Sequence, residues 1–562
     1  MTGHDSKEGR ARVHTTTAAG AATSRYLDAM RNRGPLDIDW SSAPTRHKRY
    51  PGAERVRLPW AAAPSTSGPG LLGELLRDLL GVTRVVWSHH LGDGGEPLGR
   101  PPMLLTGRPA PSGGGLHPIE AYVAAREPHL PAALYHYDPV RHVLERVRDG
   151  DHVPALTGLL GGAPSDVVIV LSAVFWRSMF KYGDFAYQLI CQETGVLIAQ
   201  ALALGERLGV TGGAQLCFPD GEVNRLLGLD GTRESAMAAL TLSLPETSLE
   251  ETRSHRPASA SPEGAGVTQP PGSARSSPSR AAEPPTPEQL IARPVASENR
   301  PLPRAMPSGG LAATLHLACT RMPSQAAAPD RPRPPASTAR TIAAPEPAPL
   351  PHLTAGVARR ASPLAGYRPV PMPGGALGAV LAAACAGYPS DLPGTEKSPA
   401  ATALYVLSLR VDGLPRAAYW YDPANHALHR PFTEAPIDAV TTGRLLPNTR
   451  VALRGAAAVL IPVGDPLAGA PAFGDRWYRM QQMEAGLIAQ RATLAATALG
   501  LAARIHSDGA NETTDEVLGL GDGPLRSLSF LVMGTPPTGG PLVTRPIPGP
   551  VDEEVMPCPT TA

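Results

Sequence analysis

The stretch YGDFAYQLICQETGVLIAQ, residues 182–200, returns as FGDRWYRMQQMEAGLIAQ at residues 473–490. The first reads as the start of a long helix over about 185–208, stopped by Gly209. Three more echoes keep the same order along the chain. GPGLLGELLRDLLG (68–81), with leucines at helical spacing, matches GGALGAVLAAACAG (374–387). IEAYVAAREPHLPAALYHYDPVRHVLER (119–146), which reads as two strands, matches ATALYVLSLRVDGLPRAAYWYDPANHALHR (401–430). EVNRLLGLDG (222–231) matches EVLGLGDG (516–523). Four echoes in one order indicate duplication of a whole α+β domain, with a period too long for a solenoid. Within the first copy DVVIVLSAVFW (166–176) is apolar on both faces, as a central strand requires, and SAMAALTLSL (235–244) closes the sheet.

Between the copies the composition changes. The 562-residue chain holds 64 Pro and 58 Gly, an excess that points to long connections. SHRPASASPEGAGVTQPPGSARSSPSRAAEPPTPEQ is nearly free of large apolar residues and cannot bury enough surface to offset its ordering entropy. The reading is therefore a disordered N-terminus over 1–24, a catalytic domain over 25–248 and a Pro/Ser/Ala-rich linker over 249–350. A degenerate second copy follows over 351–535, then a disordered tail over 536–562.

A net charge of +1, with 18% charged residues, provides no field for nucleic acid. Five scattered cysteines form no CxxC, and His89, His90, His136 and His142 complete no ligand set, so neither a metal nor a disulfide framework is expected. No apolar run reaches membrane-spanning length and the N-terminus has no apolar signal core, so a cytoplasmic protein is expected. The basic run TRHKRYPGAERVR (45–57) reads as a solvated surface or as a patch that steers an acidic peptide or meets a phosphate.

Two motifs carry chemistry. In RPAPSGGGLHPIEAY (108–122) a serine and three glycines leave backbone N–H groups unobstructed for a flat or anionic ligand, and Arg108 can pair with a phosphate. The competing reading is a glycine-rich turn before a strand. In FWRSMFKYGDFAY (175–187) Lys181 and Tyr182 stand among aromatic residues. Desolvation there would lower the lysine pKa from about 10.4 toward neutrality, where it can act as a base with Tyr182 as a relay. The competing reading is an exposed lysine beside a core tyrosine. The duplication bears on both. The second copy has Ala472 and Phe473 in place of the pair, and PGTEKSPA (393–400) where the Gly-rich loop would be. It keeps the scaffold residues Gly474, Asp475 and Tyr478. Loss of both motifs together makes them parts of one site, carried by the first copy alone. Asp184 and Asp475, retained in both, are expected to cap the long helices.

PSGGGLHPIEAYV, LYHYDP, VFWRSMFKYGDFAY, ETGVLIAQ and NRLLGLDG in this order resemble the SagB/ThcOx-type peptide dehydrogenases of the FMN-dependent nitroreductase superfamily. The resemblance covers about 25–245, with 350–535 as a degenerate copy. It implies a mixed, mainly antiparallel sheet wrapped by helices, with FMN at a dimer interface. It implies that Lys181 and Tyr182 are catalytic, and that Ser112, Gly113, Gly114 and Gly115 contact the flavin with Arg108 at its phosphate. His117 either faces the ligand or caps the turn. Gly212 and Gly213, in VTGGAQLCFPDGEVN, would lie beside the flavin ring. The implied activity is oxidation of thiazoline or oxazoline rings in a precursor peptide, in complex with a cyclodehydratase. The alternatives are a general NAD(P)H-dependent nitroreductase and a non-catalytic scaffold. The second copy is expected to form an intramolecular pseudo-dimer with the first, giving one FMN per chain.

Overall fold

The computed structural model describes residues 19–31, 33–34, 36–60, 68–88, 99, 101, 103–162, 164–245, 285–323, 331–333, 338–363, 366–443, 445–521, 523–537 and 542–546. The expectations for residues 1–18, for 246–284 and for the end of the chain beyond 546 fall outside these.

Each copy builds its own antiparallel sheet with the same strand order. In the first, the spatial order is Arg55–Arg57, Val143–Asp149, Ala133–Asp138, Ile119–Ala125, Val167–Val174, Glu234–Ser243, Thr211–Gln215. In the second it is Thr338–Ala343, Ala427–Pro431, Ala417–Asp422, Ala403–Ser408, Ala458–Gly464, Leu531–Gly534, Ala502–Ile505, with the short Arg526–Ser527 pairing off that path. Val167–Val174 is buried at every position and lies inside the sheet, as its unbroken apolar run requires. The result is a tandem α+β fold of sheets wrapped by helices.

The long helices Ala186–Leu208 and Arg476–Ala498 hold the copies together. They cross where Gly195 lies over the Met483 carbonyl and Gly486 over the Gln192 carbonyl, an exchange of contacts that marks a pseudo-two-fold axis. A Cβ would fall 1.7 Å from the first oxygen and 2.0 Å from the second, so only glycine permits this approach. Polar side chains along the crossing are paired across it. The Gln192 amide donates to Gln482 at 2.8 Å and the Gln490 amide to Gln200 at 2.6 Å. Arg476 and Arg479 both bind the Asp220 carboxylate, with all three side chains fully buried.

Three boundaries need correction. First, 249–350 is not linker throughout. Pro287–Ile291 forms a capped helical turn with Leu290 buried. Leu311–Cys319 is a helix whose Ala312, Leu315, His316 and Cys319 are buried. Thr338–Ala343 is a strand of the second sheet, paired with Ala427–Pro431. Leu311–Cys319 holds enough apolar residues to be kept by packing although the surrounding composition is proline-rich. Second, order begins before residue 25, with a helix over Ala21–Arg31 that buries Thr23 and Tyr26. Third, the tail contributes a strand, Leu542–Pro546, to the hairpin Arg84–Ser88 and Met103–Gly107 of the first copy.

The two matching aspartates are also placed otherwise than expected. Neither side chain caps its own long helix. Asp475 has helical backbone angles, so its carboxylate points away from the amides that follow. Instead Asp184 accepts from the Ala312 amide at 2.9 Å, and Asp475 from the Thr23 amide at 2.7 Å and its hydroxyl at 2.8 Å. The helix before each copy is thus capped by the other copy. The exchange is completed by Tyr26, whose hydroxyl donates to the Asp184 carbonyl, and by Cys319, whose thiol donates to that of Asp475. The duplicated unit therefore starts by about residue 311, well before 351.

Candidate functional site

The short helix Trp176–Tyr182 follows the central strand and ends in the Lys181–Tyr182 pair. The Gly-rich loop meets it there. A Cβ on Gly114 would lie 2.5 Å from the Tyr182 hydroxyl oxygen and 3.0 Å from Lys181 Nζ, and Gly114 has φ +63°. Both the close approach and the left-handed backbone demand glycine. Gly114 and Gly115 are exposed. The two motifs singled out in the sequence are therefore one constellation in space.

Electrostatics differ along the pair. Desolvation lowers the Lys181 pKa. Desolvation raises that of Tyr182, aided by the Glu193 charge and opposed by Arg504. Ser112 faces inward: its hydroxyl donates to Glu193 Oε2 at 2.8 Å and accepts from the His117 amide at 2.8 Å. With its proton committed, Ser112 can offer a ligand only an acceptor. The Gly113 amide also donates to Glu193 Oε2, at 3.2 Å. The His117 imidazole is held neutral by burial and by Arg108, while its carbonyl accepts from Arg177.

Arg108 is buried and its Nε has no hydrogen-bond partner. Arg84 donates to the Arg108 carbonyl at 2.8 Å, and Arg360 of the second copy donates through Nε to the Pro109 carbonyl. Both are buried. Arg177 is neutralised by Glu120, but among the described residues Arg84, Arg108 and Arg360 have no carboxylate in ion-pair distance. Buried cations without counter-charge fit an anionic ligand. An open glycine backbone, an orphaned guanidinium atom and two further cations suit a flat molecule carrying a phosphate, as FMN does.

Gly212 and Gly213 are not beside the pair. They lie on the strand Thr211–Gln215, where a Cβ on Gly213 would meet the Pro389 carbonyl at 3.1 Å. The pseudo-two-fold axis explains the correction. Each copy's segment after the long helix faces the other copy's loop. The first copy's segment faces residues 388–391, which close the equivalent place with protein atoms: Ala214 donates to Pro389, and the Asp391 carboxylate accepts from the Leu216 and Cys217 amides. Facing Tyr182 is instead the second copy's strand Ala502–Ile505, which carries Arg504. Arg84, Glu193, Arg360 and Arg504 were not found from the sequence. The signal for Arg504 was the duplication itself, because a swapped dimer exchanges these segments. Among the described residues no cluster of His, Cys, Asp or Glu could hold a metal, and no helix is long and apolar enough to cross a membrane.

Fold and site together define a duplicated α+β architecture of the nitroreductase kind, and the chain belongs to the nitroreductase family. The family model matches residues 100–242 and 359–535, one stretch in each copy and together more than half of the chain. A solved putative nitroreductase from Anabaena variabilis ATCC 29413 superposes with a TM-score of 0.68 over 93% of this chain and 100% of that one, at 23% identity. The two-copy fold is thus found elsewhere. The chain is 26% identical over 133 residues to the microcin B17-processing protein McbC of Escherichia coli, covering 22% of this chain and 49% of that protein. It is 27% identical over 154 residues to the trifolitoxin-processing protein TfxB of Rhizobium leguminosarum bv. trifolii, covering 25% and 41%. The chain spans about half the length of these curated relatives.

Proposed function

We propose that the chain is an FMN-dependent azoline dehydrogenase, converting thiazoline or oxazoline rings of a ribosomally made precursor peptide to thiazole or oxazole. The observation that carries this reading is the meeting of Lys181 and Tyr182 over Gly114, in the copy that alone keeps the open glycine loop. Relatives that process microcin B17 and trifolitoxin support a peptide substrate.

Aromatisation removes a proton from one ring carbon and the second hydrogen with its electron pair from the neighbouring carbon. FMN, when bound, would supply the acceptor for that hydrogen and both electrons. The chain supplies the rest. Arg84, Arg108 and Arg360 would hold the phosphate, and Gly113, Gly114 and Gly115 would let the ligand approach the backbone. Ser112 offers an acceptor. Neutral Lys181 Nζ takes the proton from the ring carbon that was the amino-acid α-carbon, and the Tyr182 hydroxyl orients the ring nitrogen. The second copy contributes Arg360 and Arg504 and completes the site within one chain. The expected partners are the azoline-bearing precursor peptide and the cyclodehydratase that makes it.

The test is purified protein with a thiazoline-containing peptide in air, without NAD(P)H. A yellow protein that forms thiazole, and a Lys181→Ala variant that stays yellow and forms it at least about a hundredfold more slowly, are expected. A colourless protein that takes up no added FMN refutes the reading. Turnover only with NAD(P)H and a nitroaromatic would make it a general nitroreductase.

A further inference from the structure

The duplication provides an internal control for one buried carboxylate. Glu193 and Glu484 occupy matching places in the two long helices, each facing the loop before its copy's inner strand. In the second copy both carboxylate oxygens are saturated. Glu484 Oε1 accepts from the Tyr388 hydroxyl (2.8 Å) and the Ala400 amide (2.7 Å). Its Oε2 accepts from the Ala401 amide (2.7 Å) and the Thr402 hydroxyl (2.8 Å). That glutamate is a pin. Glu193 differs. Its Oε2 alone carries the loop, taking the Ser112 hydroxyl and the Gly113 amide. No described residue bonds its Oε1, which keeps some contact with solvent although the residue is only 8% exposed.

We propose that Glu193 is a positioning residue with two separate roles. Its Oε2 fixes Ser112 and Gly113 for the ligand, while its Oε1, which bonds no described residue, is a proton-holding acceptor. This rests on the reading of the site as a flavin-dependent proton-abstracting centre. The carboxylate bonds Ser112 and Gly113, while Tyr182 and the cations Arg108 and Arg177 are linked to it through charge at longer range. Lys181 and Arg504 face Tyr182 from opposite copies. Burial outweighs both arginines and both hydrogen bonds and places the Glu193 pKa at about 7. A proton on Oε1 leaves the two bonds to Oε2 intact, so the group can load and unload without moving the loop. Burial raises the Glu484 pKa as well, against its four hydrogen bonds, but there a proton on Oε1 would break a bond to Tyr388 or Ala400.

A carboxyl whose pKa is raised on folding stabilises the protein most below its unfolded pKa, and that contribution fades as pH rises through about 7. Glutamine at 193 keeps one oxygen for Ser112 and Gly113 and cannot titrate. Glutamine at 484 must set an N–H₂ group against two donors.

The experiment compares full-length wild type, Glu193→Gln and Glu484→Gln. Melting temperature is read from pH 5 to 8, and FMN and riboflavin binding by flavin fluorescence. Glu193→Gln should bind FMN within about threefold of wild type and should lose the part of the stability decline that wild type shows between pH 5 and 8. Glu484→Gln should melt roughly 2–6 °C lower at every pH, because buried donors lose their acceptor. A wild-type pH slope retained in Glu193→Gln overturns the proposal. So does an unfolded Glu193→Gln, or one destabilised uniformly like Glu484→Gln, since either makes Glu193 a second pin. These readouts need no azoline peptide, so the contrast between the glutamates can fail while the dehydrogenase reading survives, and the reverse.

Discussion

A methyl group on Gly114 would overlap both the Tyr182 oxygen and Lys181 Nζ, at 2.5 and 3.0 Å. Gly114→Ala should therefore push the loop off the pair and strain a left-handed backbone by about 1–2 kcal/mol. The expected outcome is weakened FMN retention with the melting temperature little lower, checked by flavin content after gel filtration. Lys181→Ala should leave FMN binding intact and reduce azoline oxidation by roughly 10²–10⁴-fold, the usual worth of a general base. Because burial lowers the Lys181 pKa, the neutral amine is populated at lower pH than for a free lysine. The oxidation rate should rise with pH to a plateau whose midpoint lies below that of an exposed lysine. A rate that falls through that range would show that Nζ acts as a cation. At this scale the sequence was informative where chemistry and duplication coincide, at Lys181, Tyr182 and the 112–115 loop. It was silent on Arg84, Glu193, Arg360 and Arg504, which belong to no motif and gain meaning only from what packs against them.

The two long helices set the geometry of everything else. Their crossing at Gly195 and Gly486 leaves no room for a Cβ against the Met483 and Gln192 carbonyls. Gly195→Ala or Gly486→Ala must move the helices apart, at about 1–3 kcal/mol for each overpacked contact. Each should lower the melting temperature, and the pair together should cost less than the sum, because one displacement relieves both. Full additivity would mean that the helices do not move as bodies. Helix and strand identity within the copies was legible from periodicity and turn residues, since those elements follow from local pattern. The helix Leu311–Cys319 was missed because nine residues in a proline-rich region carry too little local signal. The Asp184 and Asp475 caps look local in the sequence, yet both reach across the pseudo-two-fold axis.

At the level of the whole molecule, the two copies present two equivalent places, and among the described residues the second is filled. Residues 388–391 fill the second with Pro389, Ser390 and the Asp391 carboxylate. One FMN per chain is therefore expected, measured as flavin absorbance against protein concentration after denaturation; two would contradict the filling. Arg504→Gln, a change in the copy that lacks the Lys–Tyr pair, should still affect oxidation, because its charge reaches Tyr182. An Arg504→Gln enzyme with unaltered turnover and pH profile would confine the second copy to scaffolding.

Arg504 and Gly213 stand at matching positions in their strands, yet one bears a long cation and the other no side chain. In a protein assembled from identical subunits, every substitution is made twice. An arginine gained opposite one Tyr182 would also be driven into the Pro389 carbonyl on the far side. Joining both copies in one polypeptide lifts that restriction. One half can be reshaped for an asymmetric guest such as a peptide, which has a direction, while the other is sealed and no longer has to serve the same end.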